Sequence, residues 1–368
     1  MKVLVLSSNN GSGHNSAGRA LMEQMNLAGI ECEMKDALAF RSRRVSNMIR
    51  SVHVNSALHA PWLFKVGNGV ACRHRRGKSL CYHLNSGLSG AICRYVQRGG
   101  FDTILCTHVF PALAVSHARQ HGRLDAQLYY ISTDYDSTPH VGETCMDGYF
   151  IPHPLLVGAY VENGVPADRI YPTGIPISEK FSHRTDRTAA REQLGLPTQG
   201  TIALFMGGSM GFGRVKSLVA RMLRAGPEDL LAVVLVGNNQ ELYEDLAEKY
   251  RFTKVLPVSY TDQVNTYMDA ADILFTKPGG LSSTEAAAKG IPLVHTDPIP
   301  GWETDNAAFF QRLGLCRTGK KNRDFVQDAL ELLYSSDQRQ EMLRCQRENI
   351  NPHAAADIFQ IVRSKCMR

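Results

Sequence analysis

The feature that most constrains the fold of this 368-residue chain is a strand, glycine turn and helix pattern that occurs twice in its second half. The apolar run at residues 201–205 leads into Gly207-Gly208-Ser209-Met210-Gly211, and a helical pattern follows. The apolar run at 273–275 leads into Pro278-Gly279-Gly280, and a helical pattern begins at Ser282. A helix directly behind a glycine turn presents unpaired backbone N–H groups and a positive end, which together bind phosphate.

Glu285, three residues after Ser282, has two interpretations. Its carboxylate can accept hydrogen bonds from both hydroxyls of a ribose, whereas Ser282-x-x-Glu285 also fits a capping box. Taken alone, the motif favours capping. The earlier glycine loop favours a nucleotide, because two such loops at the carboxyl ends of parallel strands can hold one nucleotide between them. Neither loop is followed by Gly-Lys-Ser/Thr, so ATP hydrolysis is not indicated.

Strand and helix patterns alternate through both halves, which predicts an α/β fold of two Rossmann-like, doubly wound domains. The length also exceeds the usual ceiling for one hydrophobic core. The pattern breaks at Pro172-Thr-Gly-Ile-Pro176, and residues 177–200 are polar and rich in turn formers. We therefore predict an N-terminal domain at 1–172, a linker at 173–200, a C-terminal domain at 201–350 and a last helix within 351–368.

Charge is distributed unevenly along the chain. The net charge is +6, yet residues 37–101 contain eleven Lys and Arg and no Asp or Glu. Large apolar side chains such as Trp62 and Phe64 are interleaved with the basic ones, which include Arg73, Arg75 and Arg76. This mixture is typical of a surface that binds anionic lipid, although a solvated basic face over a buried core is the alternative. No nucleic-acid-binding module accompanies the patch, so no nucleic-acid partner is expected.

Other sequence features limit the function classes. No run approaches the roughly 18 apolar residues of a membrane-spanning helix, and the first residues are too briefly apolar for a signal peptide. Nine cysteines occur without a Cys-x-x-Cys pair, which suits reduced thiols in a cytoplasm. Cys72, His74, Cys81 and His83 could ligate a metal, but a single intervening residue is not the usual zinc spacing, so no metal is expected.

His14 is the main candidate for chemistry. It follows Gly11-Ser12-Gly13 at the start of the first helix, where its imidazole should face the carboxyl end of the sheet. Neutral histidine has a pKa suited to removing a proton from a hydroxyl, although His14 could instead bind the loop or a headgroup. The same loop partly fits a dinucleotide fingerprint with Asp36, but Ser16 occupies the third glycine position, which makes NAD the weaker interpretation.

Several motifs resemble one enzyme superfamily. Gly207-Gly208-Ser209, Thr276-Lys-Pro-Gly-Gly and Pro300-Gly-Trp-Glu resemble the donor half of glycosyltransferases related to the peptidoglycan enzyme MurG. Ser8-Asn-Asn-Gly-Ser-Gly-His14 and Thr133-Asp134 resemble the branch of monogalactosyldiacylglycerol synthase and processive diacylglycerol glucosyltransferase. The resemblance implies a GT-B fold, with two domains facing a central cleft and the last helix packed back on the N-terminal domain.

The resemblance also implies an activity. A UDP-sugar would give up its hexose, with inversion, to the hydroxyl of diacylglycerol, at the anionic inner face of the cell membrane and without a metal or other cofactor. A polyprenyl-linked acceptor is an alternative, as is a non-catalytic protein that binds nucleotide sugar or lipid.

The same resemblance assigns donor-binding residues. Glu285 would bind the ribose, Tyr260 and Thr261 lie in the loop that holds uracil, and Glu303 would contact the sugar, while Trp302 replaces the usual Gln. The expected donor-binding set is Gly207, Gly208, Ser209, Met210, Tyr260, Thr261, Gly279, Gly280, Ser282, Ser283, Glu285, Trp302, Glu303 and Asn306.

The acceptor half is assigned in the same way. His14 would deprotonate the acceptor, and Asp134 would orient His14 or the acceptor, unless it caps the next turn. The expected acceptor and membrane set is Gly13, Asn15, Trp62, Phe64, Arg73, Arg75, Arg76 and His108.

Overall fold

The computed structural model describes residues 1–8, 12–40, 78–138, 140–207, 215–251, 254–298, 302–319 and 321–366. These residues form two compact units. The first comprises the described residues of Met1–Glu179, Ile299–Trp302 and Asn351–Arg368, and the second those of Lys180–Pro298 and Glu303–Ile350.

The N-terminal unit contains a parallel sheet that has the strand order β2-β1-β3-β4-β5-β6 in its described part. Its strands are β1 (Lys2–Ser7), β2 (Glu31–Asp36), β3 (Thr103–Cys106), β4 (Gln127–Ile131), β5 (Gly148–Phe150) and β6 (Ile170–Tyr171). Its first helices are α1 (Ser12–Leu27), α2 (Leu80–Ser86), α3 (Ser89–Gly99), α4 (Val109–Gln120) and α5 (Val157–Glu162).

The C-terminal unit contains a second parallel sheet, with the order β12-β11-β10-β7-β8-β9. Its strands are β7 (Ile202–Met206), β8 (Leu231–Gly237), β9 (Val255–Ser259), β10 (Ile273–Thr276), β11 (Leu293–His295) and β12 (Arg317–Thr318). Its helices are α6 (Arg187–Gln193), α7 (Val215–Ala225), α8 (Gln240–Lys249), α9 (Val264–Ala270), α10 (Gly280–Lys289), α11 (Trp302–Arg312), α12 (Asn322–Tyr334) and α13 (Ser336–Asn349). Two parallel sheets with interleaved helices confirm the predicted α/β fold of two Rossmann-like domains.

The last helix, α14 (Ala354–Cys366), contributes to the core of the N-terminal unit. Its Ile358, Phe359 and Val362 are buried in one cluster with Val3 of β1 and Leu21 of α1. The apolar stripe of this helix is thereby removed from water, which is the main reason that an amphipathic helix docks on a sheet.

The segment predicted as a linker contains helix α6, which the polar sequence did not suggest. Arg191 of α6 is buried, and its guanidinium donates to the carbonyls of Ala270 and Gly200 and to the Asp272 carboxylate, at 2.9, 3.0 and 2.8 Å. A buried arginine with this many acceptors is stable in a core. Residues 180–200 accordingly belong to the C-terminal unit.

Candidate active site

The first candidate site lies where the strand order of the N-terminal sheet reverses. The chain runs from β1 outward to β2 and returns to β3 on the other side of β1. Helix α1 begins behind β1, and Thr107 and His108 follow β3 directly. Open α/β sheets bind ligands at such switch points, at the carboxyl ends of the strands. His14 lies there, in the first turn of α1.

Two hydrogen bonds fix the imidazole of His14. Its Nδ1 lies 3.0 Å from the carbonyl oxygen of Thr107 and 2.8 Å from Oγ1 of Thr133. A carbonyl oxygen can only accept, so Nδ1 is the nitrogen that bears the proton. In the neutral ring the lone pair is then on Nε2. His14 is therefore oriented with its basic nitrogen directed away from both threonines.

The electrostatic surroundings keep this ring neutral. Burial lowers the pKa of His14, and the negative charge of Asp134 and the bond to Thr107 oppose that shift only in part. Asp134 was expected to orient His14 or the acceptor. The hydrogen bonds of the ring go to Thr107 and Thr133, and the charge of Asp134 also acts on it.

Other residues predicted for the acceptor have defined positions beside His14. His108 caps α4, because its Nδ1 accepts from the N–H of Phe110 at 3.1 Å, and its ring meets that of His14 edge to face with centroids 4.6 Å apart. Asn15 accepts from Ser7 at 2.6 Å and so ties α1 to the end of β1, and Gly13 lies in the first turn of the helix.

Two buried hydroxyls line the same strand ends. Oγ of Ser8 and Oγ1 of Thr107 have no hydrogen-bond partner among the described residues. Buried polar atoms are nearly always hydrogen bonded in proteins. These two therefore suit a site that receives a further oxygen or nitrogen.

The second candidate site lies where the strand order of the C-terminal sheet reverses, between β7 and β10. Met206 of β7 is in register with Thr276 of β10. The two glycine loops therefore follow neighbouring parallel strands, with Gly207 buried at the end of β7. Gly208, Ser209 and Met210 lie outside the described residues.

Helix α10 begins two residues earlier than the sequence suggested. Its N-cap is Gly279, which provides no side-chain hydrogen bond, and its first helical residue is Gly280. Ser282 is thus inside the first turn, so the capping-box interpretation of Ser282 and Glu285 is wrong. The first-turn N–H groups lack intrahelical acceptors and lie at the positive end of the helix dipole.

One face of α10 extends from this helix end. Ser282, Glu285 and Ala288 are its half-buried residues, and most of the others are buried. Their spacing of three places them along one side of the helix. An anion at the helix end would have Glu285 about 8 Å further along that side, given a rise of about 1.5 Å per residue.

Ser283 was predicted to contact the donor, and the structure assigns it to the core instead. It is buried, and its hydroxyl lies 2.9 Å from Nε2 of His295, whose Nδ1 lies 3.3 Å from Sγ of Cys316. Burial lowers the pKa of His295 to about 3, so this ring stays neutral. The chain of three side chains anchors the first turn of α10 to β11.

Asn306, for which a sugar contact is predicted, also binds the glycine loop. It is buried in α11, and its Nδ2 donates to the carbonyl oxygen of Pro278 at 3.0 Å. It therefore holds the glycine loop in place. Glu303, one turn earlier, is buried too. Trp302 is the first residue of α11, and its side chain lies outside the described part of the chain.

The remaining predicted residues differ in how far the structure describes them. Tyr260 follows β9 at the same edge of the sheet and its side chain is 73% exposed, which leaves the ring open to stacking. Thr261 beside it accepts from the N–H of Gln263 at 3.1 Å.

The predicted membrane residues Trp62, Phe64, Arg73, Arg75 and Arg76 lie outside the described residues. In the described ranges, no three His, Cys, Asp or Glu side chains are grouped as metal ligands, and no helix is long and apolar enough to cross a membrane.

Comparison with known proteins assigns a family to each half. Residues 14–177 match the family model of monogalactosyldiacylglycerol (MGDG) synthase, and residues 202–358 match the C-terminal domain of glycosyltransferase family 28. The processive diacylglycerol beta-glucosyltransferase of Staphylococcus carnosus is 26% identical over 341 residues, covering 90% of this chain and 84% of that protein. The Bacillus pumilus protein of the same name is 24% identical over 364 residues, covering 98% and 94%.

Solved structures of low sequence identity share the fold. Acinetobacter baumannii MurG aligns with a TM-score of 0.63 at 14% identity, over 99% of both chains. The UDP-GlcNAc 2-epimerase of Neisseria meningitidis bound to UDP-GlcNAc aligns with a TM-score of 0.60 at 11% identity, over 99% of this chain and 100% of its own. Anabaena Alr3699/HepE in complex with UDP and glucose gives 0.58 at 12%, with the same coverage.

The matched family models and the curated relatives identify a glycosyltransferase, and its fold is that of the GT-B class. Its N-terminal half carries a domain of the MGDG synthase family and its C-terminal half the C-terminal domain of glycosyltransferase family 28, and the curated proteins that it resembles over most of its length are processive diacylglycerol glucosyltransferases.

Proposed function

We propose that this enzyme transfers a hexose from a UDP-sugar to the hydroxyl of diacylglycerol, with inversion at the anomeric carbon. The observation on which the proposal rests is the fixed His14 ring, with Nδ1 held by Thr107 and Thr133 and the basic Nε2 directed away from them. This ring belongs to the half of the chain that matches MGDG synthase. The names of the Staphylococcus and Bacillus relatives support the same acceptor and a β product.

In the proposed step, Nε2 of His14 removes the proton of the acceptor hydroxyl as its oxygen attacks the anomeric carbon. The bond between that carbon and the phosphate oxygen breaks, and UDP leaves. A positioned general base of this kind accelerates such a step about a hundredfold to ten-thousandfold. The charge of Asp134 stabilises the imidazolium that forms, because an adjacent carboxylate favours the cationic ring.

The leaving diphosphate would bind at the N-terminus of α10. Gly279 supplies no side chain there, and a Cβ at this position would meet no atom within 4 Å in the part of the chain that the structure describes. Glu285 would accept from the ribose hydroxyls and Tyr260 would stack on the base. We propose that no metal takes part, since helix-end N–H groups can neutralise the developing charge.

We further propose that the enzyme works as a peripheral protein on the anionic inner face of the cell membrane. Helix α2 lies within the acid-free segment of residues 37–101, and its Leu80 and Leu84 are 69% and 59% exposed. A spacing of four puts both leucines on one face. Neither α2 nor α3 contains an acidic residue, whereas α3 contains Arg94 and Arg98. Exposed leucines among basic residues suit insertion at the boundary between headgroups and acyl chains.

The function can be tested with purified protein, a panel of UDP-sugars and diacylglycerol in anionic liposomes. UDP release and the lipid product are followed with and without EDTA, and the anomeric configuration of the product is determined by NMR. We expect UDP release that depends on diacylglycerol, a β-linked product and no effect of EDTA. Release only with a polyprenyl-linked acceptor would contradict the lipid assignment, and release with no acceptor would contradict the transferase assignment.

The role of His14 is tested in the same assay. His14→Ala should lower turnover about a hundredfold or more while UDP affinity stays within about twofold. His353→Ala is a matched control, because His353 is an exposed histidine of the same unit. Turnover of His14→Ala equal to that of the control would show that His14 is not the base.

A further inference from the structure

Three charged residues, Lys277, Asp297 and Glu303, lie at the carboxyl ends of β10 and β11. Only Glu303 is in the predicted donor-binding set. Lys277 follows β10 directly, Asp297 follows β11 by two residues, and Glu303 is in the first turn of α11. The two strands are paired in register, and the N–H of Thr296 donates to the carbonyl of Thr276 at 2.9 Å. Lys277 and Asp297 are therefore neighbours at this edge of the sheet.

The packing of α11 places Glu303 against the same point. Asn306 donates to the carbonyl of Pro278, the residue next to Lys277. Glu303 precedes Asn306 by three residues, so both occupy one face of α11. That face is turned towards the loop, and Glu303 is 8% exposed. The carboxylate is thus buried beside a half-buried lysine.

Electrostatics agree with this arrangement. Burial lowers the pKa of Lys277, and the negative charges of Glu303 and Asp297 oppose the shift. The charged form of the Lys277 ammonium is therefore favoured by the two carboxylates. A buried carboxylate without a compensating cation takes up a proton. A protonated Glu303 would be a donor and a weaker acceptor, and so would not recognise the same sugar hydroxyls.

The backbone conformation of Asp297 indicates that the position of this residue beside Lys277 is closely defined. Among the described residues, Asp297 is the non-glycine residue with positive φ, at 37°. Such conformations are sparsely populated and persist where the surrounding structure imposes them. This turn leads the chain from β11 towards α11.

We propose that Lys277 is a positioning residue that determines which donor sugar is accepted, by keeping Glu303 ionised and oriented towards the hydroxyls of the hexose. The inference rests on the proposed function, because it assigns the hexose of a UDP-sugar to the space beside Glu303. A site that hydrogen-bonds a substrate hydroxyl discriminates strongly against an epimer that lacks the hydroxyl at that place, since the buried acceptor is then left unpaired.

The test compares Lys277→Met with Lys277→Arg, which keeps the charge, and with Lys249→Met, which removes an exposed lysine from the same unit. UDP affinity is measured by calorimetry, and kcat/KM is measured with UDP-glucose and UDP-galactose. For Lys277→Met we expect UDP affinity within about twofold of wild type, kcat/KM for the preferred sugar lower by about tenfold or more, and a smaller ratio between the two sugars. Lys277→Arg should recover most of the ratio, and Lys249→Met should match wild type.

Glu303→Gln and the double variant show whether Lys277 acts through Glu303. We expect Lys277→Met to have little further effect on the sugar ratio in the Glu303→Gln background, because the group that it positions is already neutral. Independent effects of the two changes, or a loss of UDP affinity equal to the loss of kcat/KM, would overturn the inference in favour of direct diphosphate binding. If Lys277→Met does not fold, Lys277→Gln is used in the same cycle.

The failure of this inference can be told from the failure of the proposed function. A wild-type enzyme that releases no UDP from any UDP-sugar would contradict the proposed function itself. An active wild type in which the Lys277 and Glu303 changes act independently contradicts only the role of Lys277.

Discussion

The proposed diphosphate-binding site at the N-terminus of α10 can be tested by adding a single methyl group at Gly279. This residue has φ −71° and ψ 139°, which an alanine adopts without strain. A Cβ placed there meets no atom of the described residues within 4 Å. The described part of the fold therefore gives no reason for a glycine at this position, whereas a ligand that approaches the backbone closely does.

The expected change in stability is small because two terms oppose each other. Replacing Gly by Ala at a compatible backbone position stabilises a protein by about 0.4–1 kcal/mol, through the entropy of the unfolded chain. Alanine is a poorer N-cap residue than glycine, which costs a similar amount, about 0.5–1 kcal/mol. The melting temperature of Gly279→Ala should consequently stay within about 2–4 °C of wild type.

The expected change in binding is much larger. A methyl group in the diphosphate-binding site displaces the diphosphate from at least one helix-end N–H group. Hydrogen bonds to charged groups contribute about 1.5–3 kcal/mol each, and each 1.4 kcal/mol corresponds to a tenfold change in affinity. The dissociation constant of UDP, measured by calorimetry, should rise about tenfold to a hundredfold.

Gly158→Ala is the matched control, since Gly158 lies exposed in α5 of the other unit and a Cβ there would likewise meet none of the described atoms within 4 Å. This variant should gain stability, by about 0.5–1 kcal/mol for a glycine in a helix, and bind UDP like wild type. Unchanged UDP affinity in Gly279→Ala would refute the proposal that the diphosphate binds at the N-terminus of α10.

Three further predictions concern the base, the ribose and the membrane. Because burial lowers the pKa of His14, the neutral base should persist as the pH falls to about 6.5, so kcat should be flat from pH 8 to that value and decline only below it. Glu285→Ala should weaken UDP binding in calorimetry by about tenfold or more, since the ribose hydroxyls lose a charged acceptor. Leu80→Ser combined with Leu84→Ser should lower co-sedimentation with anionic liposomes by about tenfold at high salt, where the burial of apolar surface is least screened.

Each of these predictions has a contradicting outcome. A decline of kcat centred at pH 7 or above would mean that His14 is not the group that titrates. If Glu285→Ala lowers the melting temperature but not UDP affinity, Glu285 stabilises α10 and does not bind the ribose. Leu155→Ser provides the control for the membrane variant, because Leu155 is similarly exposed, at 58%. Equal loss in both variants would contradict a docking surface on α2.

Strong local patterns in the sequence predicted most of the fold. Long apolar strands followed by glycine turns, as at 201–207 and 273–280, specify parallel α/β units with little ambiguity. The two-residue strands β6 and β12 are too short to show any alternation. Helix α6 was missed because its buried residues are only Ala190 and Arg191, and the acceptors of the arginine include Ala270 and Asp272, about eighty residues further along the chain.

The candidate site was predicted less completely, for a related reason. Backbone loops and glycines at strand ends are visible in a sequence, and they located both switch points. Which partner a side chain chooses depends on the tertiary structure. The sequence therefore did not show that Thr107 and Thr133 orient His14, that Asn306 holds Pro278, or that Ser283 faces the core.

The place of helix α14 in the N-terminal core has a consequence for biosynthesis. Ile358, Phe359 and Val362 pack with Val3, at the opposite end of the chain. At a translation rate of about 5–20 residues per second, Val3 is made at least some 15 seconds before the helix that covers it. During that interval the nascent N-terminal half exposes an unfinished apolar face, whereas the C-terminal unit needs no residue made after Ile350. We expect the N-terminal half of this enzyme to depend on chaperones during synthesis more than its C-terminal half does.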